Sequence, residues 1–453
     1  TSEEPLHSRS DTEVVLRSLA QEGWAAARRF IGMFTFVAFN EADGTLLLGR
    51  DRTGIKPLYV YRNGELLLFA SEPKAFFSHP KFRPEIDPAA LSAYLQWGYL
   101  PGDTSIYSGV STVPPGSVLE IDTAGGSVAE HPFWRNTGTL GGTSSSPPSS
   151  YEEARSELEE LLIESFRYRM VSDVPVGVFL SGGYDSTAVA ALLARNGYEN
   201  LKTFTIGFRD SAGDEAPYAR QIADYLGTEH HELYLTEQDA LNAVGELGRV
   251  FDEPFADTSA IPTLLLSKFT REHVKVSLSA DAGDESFAGY GRYRRALRYR
   301  QRYKKIPRLL RAALSTGIQA FPWAPLSSRT GGYDRWQRTM RFSETLSASS
   351  SLEVLEAISR QYQPRAASRL LAPAYRESVK SAGAPFSLSE YLGPAESLSE
   401  LNRMLAADYY SFLMNDVLVK VDRTTMAHSL EGRDPLMDHR VFEYALGLPD
   451  EYK

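Results

Sequence analysis

The 453 residues carry 48 Lys and Arg against 58 Asp and Glu, a formal net charge of −10, and 42% of them are apolar. That balance suits a soluble chain of two or three domains and argues against a general nucleic-acid surface, which needs clustered cations. No cysteine occurs, which excludes disulfides, thiolate metal sites and a cysteine nucleophile within this sequence. No apolar run could span a bilayer and no signal-like start is present, so the expected address is cytoplasmic.

A helix is expected over about 12–20, ahead of short strands at 34–39, 46–48, 58–61 and 66–69. Asp43-Gly44 and Asn63-Gly64 separate apolar runs there, and such dipeptides strongly favour tight hairpins. Residues 1–137 therefore read as an antiparallel-sheet domain. The Gly, Ser, Thr and Pro run at 138–150 has no apolar periodicity and reads as a linker. Beyond it, strands at 174–180, 203–208, 232–235 and 274–278 alternate with helices, among them 187–195 (stopped by Gly197) and 216–226. That rhythm predicts an α/β domain over 151–453, a doubly wound parallel sheet with a helical extension from about Arg292.

Between the first of these strands and its helix stand Ser181-Gly182-Gly183-Tyr184-Asp185-Ser186. A helix N-terminus offers unpaired amides and partial positive charge to an anion. Gly182 and Gly183 let the backbone approach a phosphate, and Ser181 and Ser186 add hydroxyl donors. Asp185 suits that setting once a Mg²⁺ stands between it and the phosphates. The Gly-Lys-Ser/Thr ending of a Walker A loop is missing. The plain alternative is a turn of small residues with Asp185 as cap; six fitting positions in one strand-to-helix slot favour the nucleotide. A second loop, Ser279-Ala280-Asp281-Ala282-Gly283-Asp284-Glu285, follows the strand at 274–278. In a parallel sheet both loops leave at the same edge, so Asp185 and Asp284 are expected to share one Mg²⁺ on two phosphates of ATP. Alone, this loop would read equally well as a solvated acidic turn.

Further segments accompany the loops: Ser10-Asp11-Thr12-Glu13, Gly32-Met33-Phe34, Arg50-Asp51-Arg52-Thr53-Gly54-Ile55-Lys56-Pro57-Leu58-Tyr59, Phe69-Ala70-Ser71-Glu72 and Pro114-Pro115-Gly116. Later come Phe251-Asp252-Glu253-Pro254-Phe255-Ala256-Asp257 and Val419-Lys420-Val421-Asp422-Arg423 to Pro435. Together they resemble the asparagine synthetase family of glutamine-dependent amidotransferases, over most of the chain and least between about 292 and 400. The resemblance implies an N-terminal Ntn-type αββα sandwich, present in part, that hydrolyses glutamine. It implies a second, ATP pyrophosphatase domain that adenylates an acceptor carboxylate for amidation by ammonia. Phe179, Ser181, Gly182, Gly183, Asp185, Ser186, Ile206, Ser279 and Ala280 would lie by ATP, Ile206 through backbone contacts to adenine. Asp281 matches an acidic residue that accepts a proton from ammonia, and Asp11 the carboxylate that holds the α-amino group of glutamine. Glu431 and Arg433 are candidates for the acceptor pocket, with a structural ion pair as the alternative.

Family glutaminase domains begin with a catalytic cysteine and glutamine-binding loops, and the synthetase domain ends on a lysine at the phosphates. This sequence holds neither, so it is expected to be an incomplete version of the protein. Ala280 and Ala282 stand where glycines are common, which alanine tolerates while φ stays negative. Aspartate is the first acceptor implied. A sugar uronic acid of surface polysaccharide, a β-lactam-synthetase-like cyclisation and a non-catalytic nucleotide-binding scaffold stay open. The expected partners are glutamine and the acceptor, without nucleic acid or membrane; a homodimer stays open. The basic run 292–311 reads as a solvated helix or subunit contact ahead of an RNA surface, and His230-His231 as the start of a strand ahead of a metal site.

Overall fold

The computed structural model describes residues 5–134, 148–208, 213–321, 332–381, 386–393, 395 and 397–453. The part of the expected linker at 138–147 lies outside the described residues. The chain forms two compact units, Thr1–Glu85 with Asp103–Asn136, and Ile86–Gly102 with Thr137–Lys453.

In the first unit, α1 (Asp11–Glu22) starts at Ser10, whose side chain accepts the Thr12 N–H. Seven strands follow: β1 (Thr35–Asn40), β2 (Thr45–Arg50), β3 (Tyr59–Asn63), β4 (Leu66–Ala70), β5 (Val110–Thr112), β6 (Ser117–Asp122) and β7 (Val128–Pro132). They make two antiparallel sheets, ordered β1-β2-β6-β7 and β4-β3-β5. Asp43-Gly44 and Asn63-Gly64 form the tight turns of the β1–β2 and β3–β4 hairpins, with Gly44 at φ 73° and Gly64 at φ 58°. Leu46 and Leu48 from one sheet meet Leu58 and Val60 from the other in a shared core with Val113 and Ile121. Asp51 is the buried knot of the loop between β2 and β3, accepting N–H groups from Phe34, Thr53, Ile55 and Lys56.

The second unit takes in α2 (Pro88–Trp97), which Asp87 caps through the N–H groups of Ala89 and Ala90. After α3 (Tyr151–Met170) the expected alternation runs through β8 (Val176–Phe179), α4 (Tyr184–Arg195), β9 (Lys202–Phe208), α5 (Ala216–Leu226), β10 (Glu229–Leu235), α6 (Glu237–Val250), α7 (Ala260–Arg271) and β11 (Val276–Leu278). Then come α8 (Gly283–Phe287), α9 (Gly291–Tyr303), α10 (Arg308–Ala320), further helices, and a last short strand, β12 (Glu431–Arg433). The five strands are all parallel, in the order β10-β9-β8-β11-β12. From β8 the chain builds outward first through β9 and β10, then on the other side through β11, so the order reverses between β8 and β11. Open α/β sheets bind ligands beyond the strand C-termini at such a reversal.

His230 and His231 lie within β10, His230 Nδ1 standing 2.8 Å from Thr203 Oγ1. The basic run divides between α9 and α10 rather than forming one solvated helix: Arg292 pairs with buried Asp408 at 2.8 Å, and Arg311 is buried. Among the described residues no helix is long and apolar enough to cross a membrane.

Candidate functional site

β8 leads through buried Leu180 into the turn that starts α4. Gly182 sits at φ 84°, and a Cβ there would come within 2.9 Å of Tyr218 Cβ and 3.0 Å of Ala219 N, so only glycine closes this turn against α5. Ser186, in the first turn of α4, ties the loop down. Its hydroxyl accepts the Ser181 N–H at 3.2 Å, lies 3.1 Å from Ser181 Oγ and donates to Gly183 O at 3.3 Å. Asp185 stands beside it in the same turn, at the positive end of the helix.

The second loop leaves β11 next door. The Ser279 N–H donates to Arg433 O at 2.9 Å and the Ser279 hydroxyl donates to the Asp281 carboxylate. The condition on which alanine is tolerated here fails at one of the two positions: Ala282 takes φ 80°, while Ala280 is not among the residues with positive φ. The chain must reverse within one residue before α8 begins, and a left-handed alanine costs about 1–2 kcal/mol there. The turn brings Gly283 so close to the Asp185 carboxylate that a Cβ would collide with it, and Gly289 likewise clears the Asp284 carboxylate.

Both loops open on one cleft of about 770 Å³. Phe179 and, from β9, Phe204, Thr205 and Ile206 line one part of it; Ser259, Pro262, Thr263 and Leu266 come from the start of α7. Ser181, Gly183, Asp185, Ser186, Ile206, Ser279, Ala280, Asp281 and Asp284 all line this space. Burial, then Asp284, then Asp281, lift the Asp185 carboxyl to about 6. Burial also raises Asp284, partly offset by Arg292. Within α8, burial pushes Glu285 up to about 8, against the Tyr290 hydroxyl, which donates to it at 3.0 Å.

Lys420 and Asp257 lie in family-like segments and carry no role predicted from sequence. Lys420 Nζ donates to Asp257 Oδ2 at 2.9 Å and to Ser259 Oγ at 2.8 Å, behind the cleft wall. Burial works against the Lys420 charge, but Asp281 and Asp257 outweigh it and its pKa lies above the ordinary value. Burial, with Asp257 nearby, lifts Asp416 to about 7. The clue in the sequence was the company these residues keep in family-like segments. Their pairing spans 163 positions and has no local signature.

Gly182 closes the turn without being among the residues that line the cleft, and three other candidates stand elsewhere. Asp11 is exposed at the first position of α1, in the first unit. Glu431 and Arg433 lie on β12, where Arg433 donates to Glu431 Oε1 at 2.8 Å and to Arg169 O and Val171 O at 2.7 Å. Neither is among the residues that line the cleft. The placing of Asp185 and Asp284 on one cleft fits a divalent cation, which would favour the charged form of carboxyls that burial lifts, and of Asp185 against Asp284 and Asp281. Among the described residues no three His, Asp or Glu side chains gather to close a metal site, so such an ion would draw its other ligands from phosphate and water.

A parallel sheet whose two loops open on one cleft at its reversal point defines an α/β fold with a crevice at the strand C-termini, where ligands of such folds bind. Comparison with known families is specific. Residues 157–453 match the asparagine synthase family and residues 1–134 the glutamine amidotransferase domain. The chain belongs to the asparagine synthase family and carries an N-terminal class II glutamine amidotransferase domain. It is 31% identical over 452 residues to asparagine synthetase [glutamine-hydrolyzing] 1 of Bacillus subtilis (strain 168), covering 98% of this chain and 66% of that one. A putative asparagine synthetase [glutamine-hydrolyzing] 2 of Methanocaldococcus jannaschii is 33% identical over 306 residues, 67% of this chain and 58% of that one. Amidase chry2 of Gibberella zeae is 29% identical over 306 residues, 63% and 44% of the two. The chain thus spans two thirds or less of the length of these relatives.

Proposed function

We propose that the cleft binds ATP with Mg²⁺ and adenylates an acceptor carboxylate, aspartate in the first instance, which ammonia from glutamine then converts to the amide. The observation that carries this reading is the meeting of two loops at one sheet edge, with the Asp185 carboxylate held against Gly283. On this reading 1–137 is the glutaminase part and 151–453 the synthetase. Phe179 and Ile206 would flank adenine, and the amides and hydroxyls of Ser181, Gly182, Gly183 and Ser186 would cradle phosphate. Asp185 and Asp284 would hold Mg²⁺, which when bound neutralises charge on the leaving pyrophosphate. Asp281, oriented by the Ser279 hydroxyl, would take the proton that ammonia loses as the amide bond forms. Asp11 would serve glutamine in the first unit, and Glu431 and Arg433 would act on the acceptor only if their ion pair opened.

The test is ATP-dependent pyrophosphate release by the full-length gene product with glutamine, scanning aspartate and uronic acids, beside Asp185→Ala. Release that depends on one acceptor and vanishes in the variant supports the reading and names the acceptor. ATP binding without release for any acceptor overturns it.

A further inference from the structure

None of the basic run lines the cleft, and its second half folds in an unexpected sense. From Ser286 to Tyr333 the sequence holds eleven Arg or Lys and no Asp or Glu, inside a chain of net charge −10. Here α10 is amphipathic with its faces reversed. Arg311 and Ser315, only 5% and 3% exposed, point into the protein. Arg311 Nη1 donates to Leu346 O and Ala348 O at 2.8 Å. One turn beyond Ser315, Gln319 Nε2 donates to Ser315 Oγ and Ser343 Oγ at 3.3 Å. The outer face carries Leu309, Leu310, Leu314 and Phe321, exposed by 86%, 52%, 48% and 49%. Leu310, Leu314 and Phe321 recur at helical spacing and form one stripe. A helix bordering water is built the other way round. Nor can this one roll over, since turning the leucines inward would strand the Arg311 guanidinium without its carbonyls. At its entrance Arg302, Lys305 and Arg308 are exposed, immediately before Leu309.

We propose that this face of α10 docks on an anionic lipid bilayer. An apolar stripe headed by cations is the composition of a helix that lies in a membrane interface, its apolar side in the acyl boundary and its cations at acidic headgroups. A second copy meeting this one across a two-fold axis would pair the leucines, but its own 286–333 holds no Asp or Glu to offer the cations. Single-stranded RNA would satisfy the cations but leave three leucines in water. A protein groove would need an apolar floor and an acidic rim, both of which an anionic bilayer presents as its ordinary surface.

The experiment is co-sedimentation of the full chain with vesicles of phosphatidylcholine containing about one quarter phosphatidylglycerol, and with pure phosphatidylcholine, at low and high salt. Binding is expected to the mixed vesicles only, and to fall with salt. Leu310→Asp with Leu314→Asp, and separately Arg302→Glu with Lys305→Glu and Arg308→Glu, should each weaken it about tenfold or more, with thermal melting unchanged. The proposal is overturned by no binding to mixed vesicles, or by binding that neither variant weakens. It is equally overturned if light scattering shows a dimer that the leucine variant dissolves, or if the charge variant abolishes binding of single-stranded RNA by a chain that ignores vesicles.

Discussion

A carboxyl lifted to about 6 is one whose ionisation the fold resists. For Asp185 the sign follows from proton counts. Below about 4 both folded and unfolded chains hold the proton, and the residue is neutral to stability. Between there and about 6 the folded chain binds more protons, so stability falls as pH rises, and the full penalty persists above. Asp185→Asn should therefore melt higher than wild type without nucleotide, by a margin that grows from pH 4 to pH 6 and then stays constant. The same variant should lose about 100-fold or more in pyrophosphate release, and excess Mg²⁺ with ATP should raise the melting temperature of wild type only. Lys420 behaves in the opposite way. Its ion pair with Asp257 has both side chains largely buried, and removing one partner strands the other. Lys420→Met should cost about 3–5 kcal/mol in denaturant unfolding, and adding Asp257→Asn should restore part of that; strict additivity of the two changes would refute the coupling.

At the scale of elements, what could be read ahead of the structure was whatever had a local cause. The β1–β2 hairpin followed from Asp43-Gly44, and the turn at 181–186 from a strand, two glycines and a helix in immediate succession. β12 was illegible because three residues, two of them charged, become a strand only by hydrogen bonding to β11. α10 could not be oriented in advance: the rule that apolar faces turn inward would give the wrong face, because the buried side carries Arg311. The histidines were rightly placed on a strand, yet their spatial neighbour was hidden. On edge strand β10, His231 stacks on Phe204 and lies 4.2 Å from His273, which follows α7. Burial, then His231, then Lys202 push the His273 pKa down, against smaller opposing effects of Glu272 and Glu229. A histidine depressed in the folded state contributes stability above its unfolded pKa, near 6.5, and loses it as pH falls. His273→Phe should keep the ring packing and flatten that loss. The difference in melting temperature between variant and wild type should widen from pH 7 to pH 5, and a constant difference would exclude the pair as its source.

At the scale of the molecule, the compact units do not follow the chain in two clean blocks, since 86–102 belongs with the parallel-sheet unit. Gln96 O accepts the Gln361 N–H at 2.7 Å and Gly98 O accepts the Ala256 N–H at 2.9 Å. The Asn415 side chain brackets Gly102, accepting its N–H and donating to its carbonyl, each at 3.0 Å. Trp97 and Tyr99 are buried in the same unit, and burial of each such ring is worth about 1.5–3 kcal/mol or more. A fragment of 148–453 should therefore melt well below the whole chain, and a peptide of 86–102 added in trans should raise it. The same chain makes a chemical forecast. The family resemblance implies a cysteine nucleophile for glutamine hydrolysis, and none stands among these 453 residues, while the cleft holds both of its loops. Assayed as this 453-residue chain with ATP, Mg²⁺ and the acceptor, it should respond to ammonium and gain nothing from glutamine. The response should grow with pH towards 9, as the free amine increases. Equal amide formation from glutamine would place a nucleophile other than cysteine in the first unit. ATP turnover indifferent to both donors would mean that the cleft activates a carboxylate for some other amine.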